Sequence, residues 1–257
     1  MRKTVLITGA SGGLGLEFAR IYAREGFDLV VVARSEGKLY KLKSELETQY
    51  DCHVWVLAQD LSQPDAAYEV FNYTLEKNIT IDALVNNAGF GDFGNFWEVD
   101  AQRQTDLLQV NIMTLVQLTR YFLPGMVERR HGSVLNLSSV AAFSAGPRMC
   151  LYYASKEFVR SFSEAVAEEV RSTGVTVTAL CPGPTATGFE QAAQMKNSHM
   201  FSMFKPASAA AVAEAGFRAA QKGKTLRYFG WPTHTVSIAA RLLPRSVCRR
   251  FMMKVNG

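Results

Sequence analysis

The stretch that most restricts what this chain can fold into is its beginning, where the apolar, β-rich run KTVLIT (residues 3–8) passes straight into the glycine cluster TGASGGLG (8–15) and then into LEFARIYAREG (16–26). In that order these are a buried strand, a tight turn and a helix. Gly9, Gly13 and Gly15 let the backbone bend sharply and come close to a ligand, and the helix start offers free N–H groups and the positive end of its dipole to a phosphate. The spacing is GxxxGxG and not the GxGxxG of the general dinucleotide fingerprint. Gly26 fits a helix C-cap, after which FDLVVVAR (27–34) has the continuous apolar character of a strand buried on both faces.

The alternation continues. The sequence predicts a helix at about 35–49, a strand at 53–58, a helix at about 65–78 and a strand at 81–85 ending in NNAG. Helical stretches within 97–129, a strand at 133–138, a helix at about 150–172 and a strand at 175–181 follow. After PGPTATG (182–188) the pattern lapses for about 20 residues before a helix near 207–222 and a short strand near 226–229. Such alternation with short links predicts an α/β fold, a doubly wound parallel sheet of about seven strands with helices on both faces. With 257 residues, 48% of them hydrophobic, one full core can form. The expected organisation is one domain over 1–257, with an irregular lid at about 186–206 and a basic C-terminal extension at about 231–257.

Charge narrows the partners. The net charge is +5, yet no acidic residue follows Glu214 while nine basic ones do, so the body of the chain is mildly acidic and the basicity belongs to the tail. A nucleic-acid partner is therefore not expected. The apolar run at the N-terminus is too short for a signal segment, and no later run is long enough to span a membrane. Cys52, Cys150, Cys181 and Cys248 form no CxxC pair and the four histidines are scattered, so no metal site is expected and a reduced, cytoplasmic setting is.

Within the predicted helix at 150–172, Tyr152 and Lys156 lie one turn apart on one face. A phenol with a pKa near ~10 is a poor acid-base catalyst at neutral pH, and a neighbouring ammonium favours its charged form. Alone, such a pair is as ordinary as any solvated helix face.

Together, TGASGGLG at 8–15, NNAG at 86–89, Asn111, the pair Ser138–Ser139, YxxxK at 152–156 and PGPTATG at 182–188 resemble the short-chain dehydrogenase/reductase family, classical type, over roughly residues 3–230. The resemblance implies a Rossmann fold and an oxidoreductase moving a hydride between a nicotinamide and a carbonyl or alcohol. In the family the serine lies 13 residues before the tyrosine, which selects Ser139 over Ser138. Ser139 would bind the substrate oxygen and Tyr152 would exchange a proton with it. Lys156 would lower the tyrosine's pKa and hold the nicotinamide ribose, and Asn111 would hold a water relaying protons to Lys156. Tyr153 has no lysine four residues on and is read as a packing residue. Gly9, Ser11, Gly13, Leu14 and Gly15, with Asn87, Ala88, Gly89, Pro182, Gly183, Tyr152 and Lys156, would contact the cofactor. Asp60 and Leu61 would meet its adenine and Thr185 its carboxamide. The resemblance also implies a homodimer or homotetramer, joined through the helices at about 97–129 and 150–172.

The end of the second strand bears on the cofactor. An NAD site places a carboxylate there for the ribose 2′-OH, whereas a 2′-phosphate calls for a cation. Here Ala33 and Arg34 close the strand and Lys38 follows, so NADP(H) is expected over NAD(H), with Arg34 the principal contact and Ser35 and Lys38 as helpers. Gly12 stands where some NADP-dependent members carry a further basic residue.

Around the reacting carbonyl the sequence offers Phe90, Phe93, Phe96, Ala141, Phe143 and Met149, and in the lid Phe189, Met195, Met200, Phe201, Met203 and Phe204. Such walls suit a lipophilic small-molecule carbonyl or alcohol better than a sugar. Asp92, Asn95, Arg148 and His199 are candidates for a polar head group. In the tail, Arg241, Arg245 and Arg249 recur every four residues beside an apolar face interrupted by Pro244. That pattern fits a basic interfacial helix at a membrane surface, or packing at a subunit interface or over the pocket. GASGG (9–13) formally satisfies the GxSxG elbow of α/β-hydrolases, but it follows the first strand and no histidine stands in a comparable setting. A non-catalytic NADP-binding sensor or assembly subunit is the other alternative; it would be expected to have lost Ser139, Tyr152 or Lys156, and all three are present.

Overall fold

A computed structural model describes residues 2–189 and 206–256 of the chain. β1 (Thr4–Thr8) is buried along its whole length, with Val5 and Ile7 in the core on one face of the sheet and Leu6 in the core on the other. That is why the strand reads as an unbroken apolar run: both faces are covered. α1 (Gly13–Arg24) buries Phe18, Ala19 and Tyr22 against the first core, and β2 (Asp28–Ala33) then pairs parallel to β1.

The remaining elements repeat the unit. α2 (Glu36–Gln49) leads to β3 (Val54–Ala58), and α3 (Ala66–Glu76) to β4 (Ala83–Asn86). α4 (Ala101–Leu108), a π-helical turn (Gln109–Thr114) and α5 (Leu115–Glu128) make one bent helical passage to β5 (Gly132–Leu137). A 3₁₀ turn (Val140–Phe143), α6 (Cys150–Glu169) and β6 (Val175–Pro182) follow. β7 (Thr185–Ala186) and β8 (Ala207–Ser208) form a short parallel ladder. α7 (Ala209–Gln221), β9 (Leu226–Phe229), α8 (Trp231–Leu242) and α9 (Arg245–Asn256) complete the described chain.

Seven strands form one sheet in the order β3-β2-β1-β4-β5-β6-β9, every pairing parallel. The chain winds outward from β1 through β2 to β3, then returns to lay β4 on the other side of β1. At that reversal the connections leave β1 and β4 in opposite directions, so a crevice opens beyond their carboxyl ends.

Candidate active site

The crevice is laced from both sides. The Thr8 hydroxyl accepts from the backbone N–H groups of Asn87 and Ala88, each at 3.0 Å, and the Asn87 side-chain amide donates to the Thr8 carbonyl at 2.9 Å. The glycine turn rests on this lacing. Gly9 and Gly13 have φ of +68° and +54°, a region that L side chains rarely occupy. A Cβ on Gly15 would lie 2.2 Å from the Gly9 carbonyl oxygen, so this glycine is needed to fold the turn against itself. Gly12 faces open space and α1 has no side-chain cap, leaving the first N–H groups of the helix available to an anion.

A second line of hydrogen bonds sets α6 against the sheet. Asn86 on β4 donates to Asn136 on β5 at 2.9 Å, and Asn136 donates to Ser163 on α6 at 2.9 Å, all three buried. Nearer the crevice the Ser138 hydroxyl donates to the Lys156 carbonyl at 2.7 Å, while the Lys156 ammonium donates to the Leu137 carbonyl at 2.8 Å. The end of β5 and the first turns of α6 are thereby fixed to one another. This brings Ser139, Tyr152 and Lys156 together, all of them buried. The Ser139 hydroxyl caps the 3₁₀ turn through the Ala141 N–H, and it lies close enough to the Tyr152 hydroxyl to oppose the upward shift of that phenol.

Burial dominates the electrostatics. It pushes the Tyr152 phenol up to about 12, with Ser139 pulling the other way, and pushes Lys156 down to about 8. The Lys156 nitrogen lies 5.8 Å from the Tyr152 ring centroid. The sequence suggested a lysine that lowers the tyrosine's pKa; the net shift of the tyrosine is upward, because desolvation by burial outweighs the influence of Ser139.

Asn111 sits in the π-helical turn, 1% exposed, with its side chain committed: its oxygen accepts from the Phe90 N–H at 3.1 Å, and its amide donates to the Phe90 carbonyl and the Ser155 hydroxyl, both at 3.0 Å. Its oxygen and the Lys156 ammonium converge on Gly89, where a Cβ would stand 3.0 Å from one and 3.3 Å from the other.

These elements enclose a cleft of about 510 Å³. Gly9, Ser11, Gly13, Leu14, Arg34, Asn87, Ala88, Gly89, Ser139, Tyr152, Lys156, Pro182, Gly183 and Thr185 all line it, as do Ser35 and Lys38. Four expected residues stand outside the lining. Gly15 lies beneath the turn and Asn111 is buried behind Gly89 and Lys156. The Asp60 carboxylate turns to the Ser62 N–H and hydroxyl at 3.0 and 2.9 Å, closing a local turn, and Leu61 is buried with its carbonyl held by Thr114. Tyr153 does more than pack: it lines the cleft too, and so do Thr187 and Gly188, the last two residues of PGPTATG.

At the Tyr152 end the wall is apolar. Leu107, Ala141, Met149, Tyr152 and Tyr153 form one cluster with Phe90, Phe93, Leu151, Phe189 and Met252 packed against it. The Phe189 ring centroid is 5.0 Å from that of Tyr152. Two residues expected here point elsewhere: Phe143 packs beside Tyr228 and Arg160, and Phe96 is 56% exposed. Met195, His199, Met200, Phe201, Met203 and Phe204 lie outside the described residues. Asp92 lines a separate cavity with Phe93, Glu98, Asp100 and Arg103, while Asn95 bonds Glu98 at 3.0 Å. The tail also reaches this wall. The Asn256 side chain accepts from the Tyr153 hydroxyl at 3.3 Å and donates to the Pro147 carbonyl at 2.8 Å.

A cleft of this kind at the switch point of a doubly wound sheet is the mark of a Rossmann-type dinucleotide-binding protein. The family within that class is specific. The sequence pattern of the short chain dehydrogenases matches residues 3–198, and the chain belongs to that family. It is 30% identical over 260 residues to the very-long-chain 3-oxoacyl-CoA reductase of Anas platyrhynchos, covering 98% of this chain and 79% of that one. Fungal proteins of the same name are matched over only about half of their length. Among solved structures, a short-chain dehydrogenase from Sphingobium yanoikuyae in complex with NADPH superposes with a TM-score of 0.82 at 29% identity, covering 88% of this chain and 87% of that chain. A 7beta-hydroxysteroid dehydrogenase superposes with a TM-score of 0.87 at 26% identity, covering 98% and 96%.

Proposed function

We propose that this protein is an NADP(H)-dependent oxidoreductase acting on a lipophilic ketone or acyl carbonyl and the corresponding alcohol. The observation that carries the substrate class is the apolar cleft lining beside Tyr152, made by Val140, Ala141, Tyr153 and Phe189 and backed by the buried Leu107 and Met149. The chemistry named for its relatives, a long acyl chain in one and a steroid in another, is of the same kind.

The residues present fit the cofactor. Arg34, Ser35 and Lys38 stand together in the cleft lining, offering two cations and a hydroxyl to a 2′-phosphate, and the uncapped start of α1 suits the pyrophosphate. When bound, the nicotinamide supplies or accepts the hydride. The protein aligns the substrate and handles the proton. A carbonyl oxygen between the Ser139 and Tyr152 hydroxyls accepts a hydrogen bond from each, and Tyr152, protonated at neutral pH as any phenol is, passes its proton to that oxygen as negative charge develops. Lys156 would hold the ribose, and the Asn111 oxygen, which faces Gly89 beside the ammonium, would accept from a water that returns protons to Lys156 and so to Tyr152. Self-association is supported by the exposed Met113 and Phe158 on the two helical passages named for it.

The test is NADPH oxidation against ketones graded by chain length and ring content. kcat/KM is expected to rise with apolar size, and a preference for sugar-like carbonyls would overturn the substrate class. Cofactor choice is read separately. Arg34→Ala removes a charge-assisted hydrogen bond and should raise KM for NADPH roughly 10- to 100-fold while leaving NADH nearly unchanged. Equal losses with both cofactors would count against the 2′-phosphate contact.

A further inference from the structure

α8 and α9 have two unlike faces. Their inner face is partnered: Thr233, Ser237, Val255 and Asn256 are buried, and Met252 packs on the wall beside Tyr152. Their outer face is apolar and bare. Ile238 and Leu242 lie one turn apart on α8, Leu243 forms the extended link, and Val247 and Phe251 lie one turn apart on α9, with exposures of 56%, 79%, 48%, 49% and 57%. Five large apolar side chains at such spacing make a stripe, unlike the scattered apolar residues of an ordinary soluble surface.

Cations flank the stripe. Arg245, Arg249, Arg250 and Lys254 are all exposed on α9, and no acidic residue occurs anywhere in 215–257. We infer that this face docks on the surface of an anionic lipid bilayer, with Leu242, Leu243, Val247 and Phe251 entering the headgroup–acyl boundary and the arginines engaging lipid phosphates. Apolar residues beside a purely basic rim are what such an interface selects. A second copy is a poor occupant, because a symmetric contact would set one row of arginines against another with no carboxylate to pair them. Among the described residues no helix is long and apolar enough to cross a membrane, so the contact is one of surface docking.

On α9 the exposed Phe251 is the chain neighbour of Met252, which packs on the cluster around Tyr152. The surface itself is independent of what the cleft binds.

Flotation with vesicles of phosphatidylcholine containing 30 mol% phosphatidylglycerol, against pure phosphatidylcholine, tests the inference. The full chain should partition at least ~10-fold more strongly onto the anionic vesicles, with the difference collapsing in high salt. Leu242→Asp/Phe251→Asp and, separately, Arg249→Glu/Arg250→Glu should each lower that partition at least ~10-fold while leaving turnover of a soluble ketone unchanged, which shows that both variants fold. Absence of binding by the unaltered chain, or equal binding by all three proteins, would overturn it. So would light scattering in which the Leu242→Asp/Phe251→Asp variant breaks up an oligomer of the unaltered chain, since the face would then join copies of the protein.

Discussion

Tyr152→Phe should lower kcat for ketone reduction by roughly 10²- to 10⁴-fold, the usual contribution of a positioned general acid, with thermal stability and NADPH binding almost unchanged. The substitution deletes one oxygen. The ring remains packed between Phe189, at 5.0 Å between centroids, and Tyr153, at 6.2 Å. What is lost is the buried hydroxyl beside Ser139, a proton donor placed to meet a carbonyl oxygen. Because Ser139 keeps its bond to the Ala141 N–H, the 3₁₀ turn should not collapse. Steady-state kinetics beside NADPH titration by fluorescence separates the two effects. Full activity in the variant would remove Tyr152 from proton transfer, and a parallel loss of NADPH affinity would show that the hydroxyl does something other than donate.

The central strands were readable because a parallel sheet buried on both faces needs continuous apolar runs, and VLI at 5–7 and LVVV at 29–32 can be little else. The glycine turn was readable for a similar reason, since positive φ at Gly9 and Gly13 leaves few residue choices. Roles that depend on distant partners were not. Phe143 found an arginine and a tyrosine to lie against instead of the cleft. The tail showed its amphipathic character in sequence, with Pro244 marking the break between α8 and α9, but nothing local connects Asn256 to Pro147 and Tyr153. That contact spans more than a hundred residues and exists only once the sheet has placed both ends together.

Lys156→Met should affect three quantities at once, and their combination separates a lysine that binds cofactor from one that merely tunes its neighbour. Turnover is expected to fall by at least ~100-fold as the proton path to Tyr152 is cut, and KM for NADPH to rise about 10-fold as a charge-assisted contact is lost. A tuning lysine would change turnover alone. The third quantity is stability. Burial lowers Lys156 from 10.5 to about 8 in the folded chain. Below about pH 8 the lysine is charged in both states, and the folded state carries the full cost of the buried ammonium. Between about 8 and 10.5 the folded chain has released a proton that the unfolded chain still holds, so stability rises with pH across that window. Relative to Lys156→Met, in which every other titration is shared, the ligand-free protein should therefore gain on the order of 3 kcal/mol between pH 7 and pH 10.5. The comparison rests on the slope, since the variant also leaves the Leu137 carbonyl without its donor and so has an offset of its own. Urea unfolding at several pH values measures it. A flat difference would mean that the ammonium is solvated in the ligand-free chain; a rising one, with both kinetic losses, identifies a charge held in a dry site at a cost in stability for the sake of the ligand it meets there.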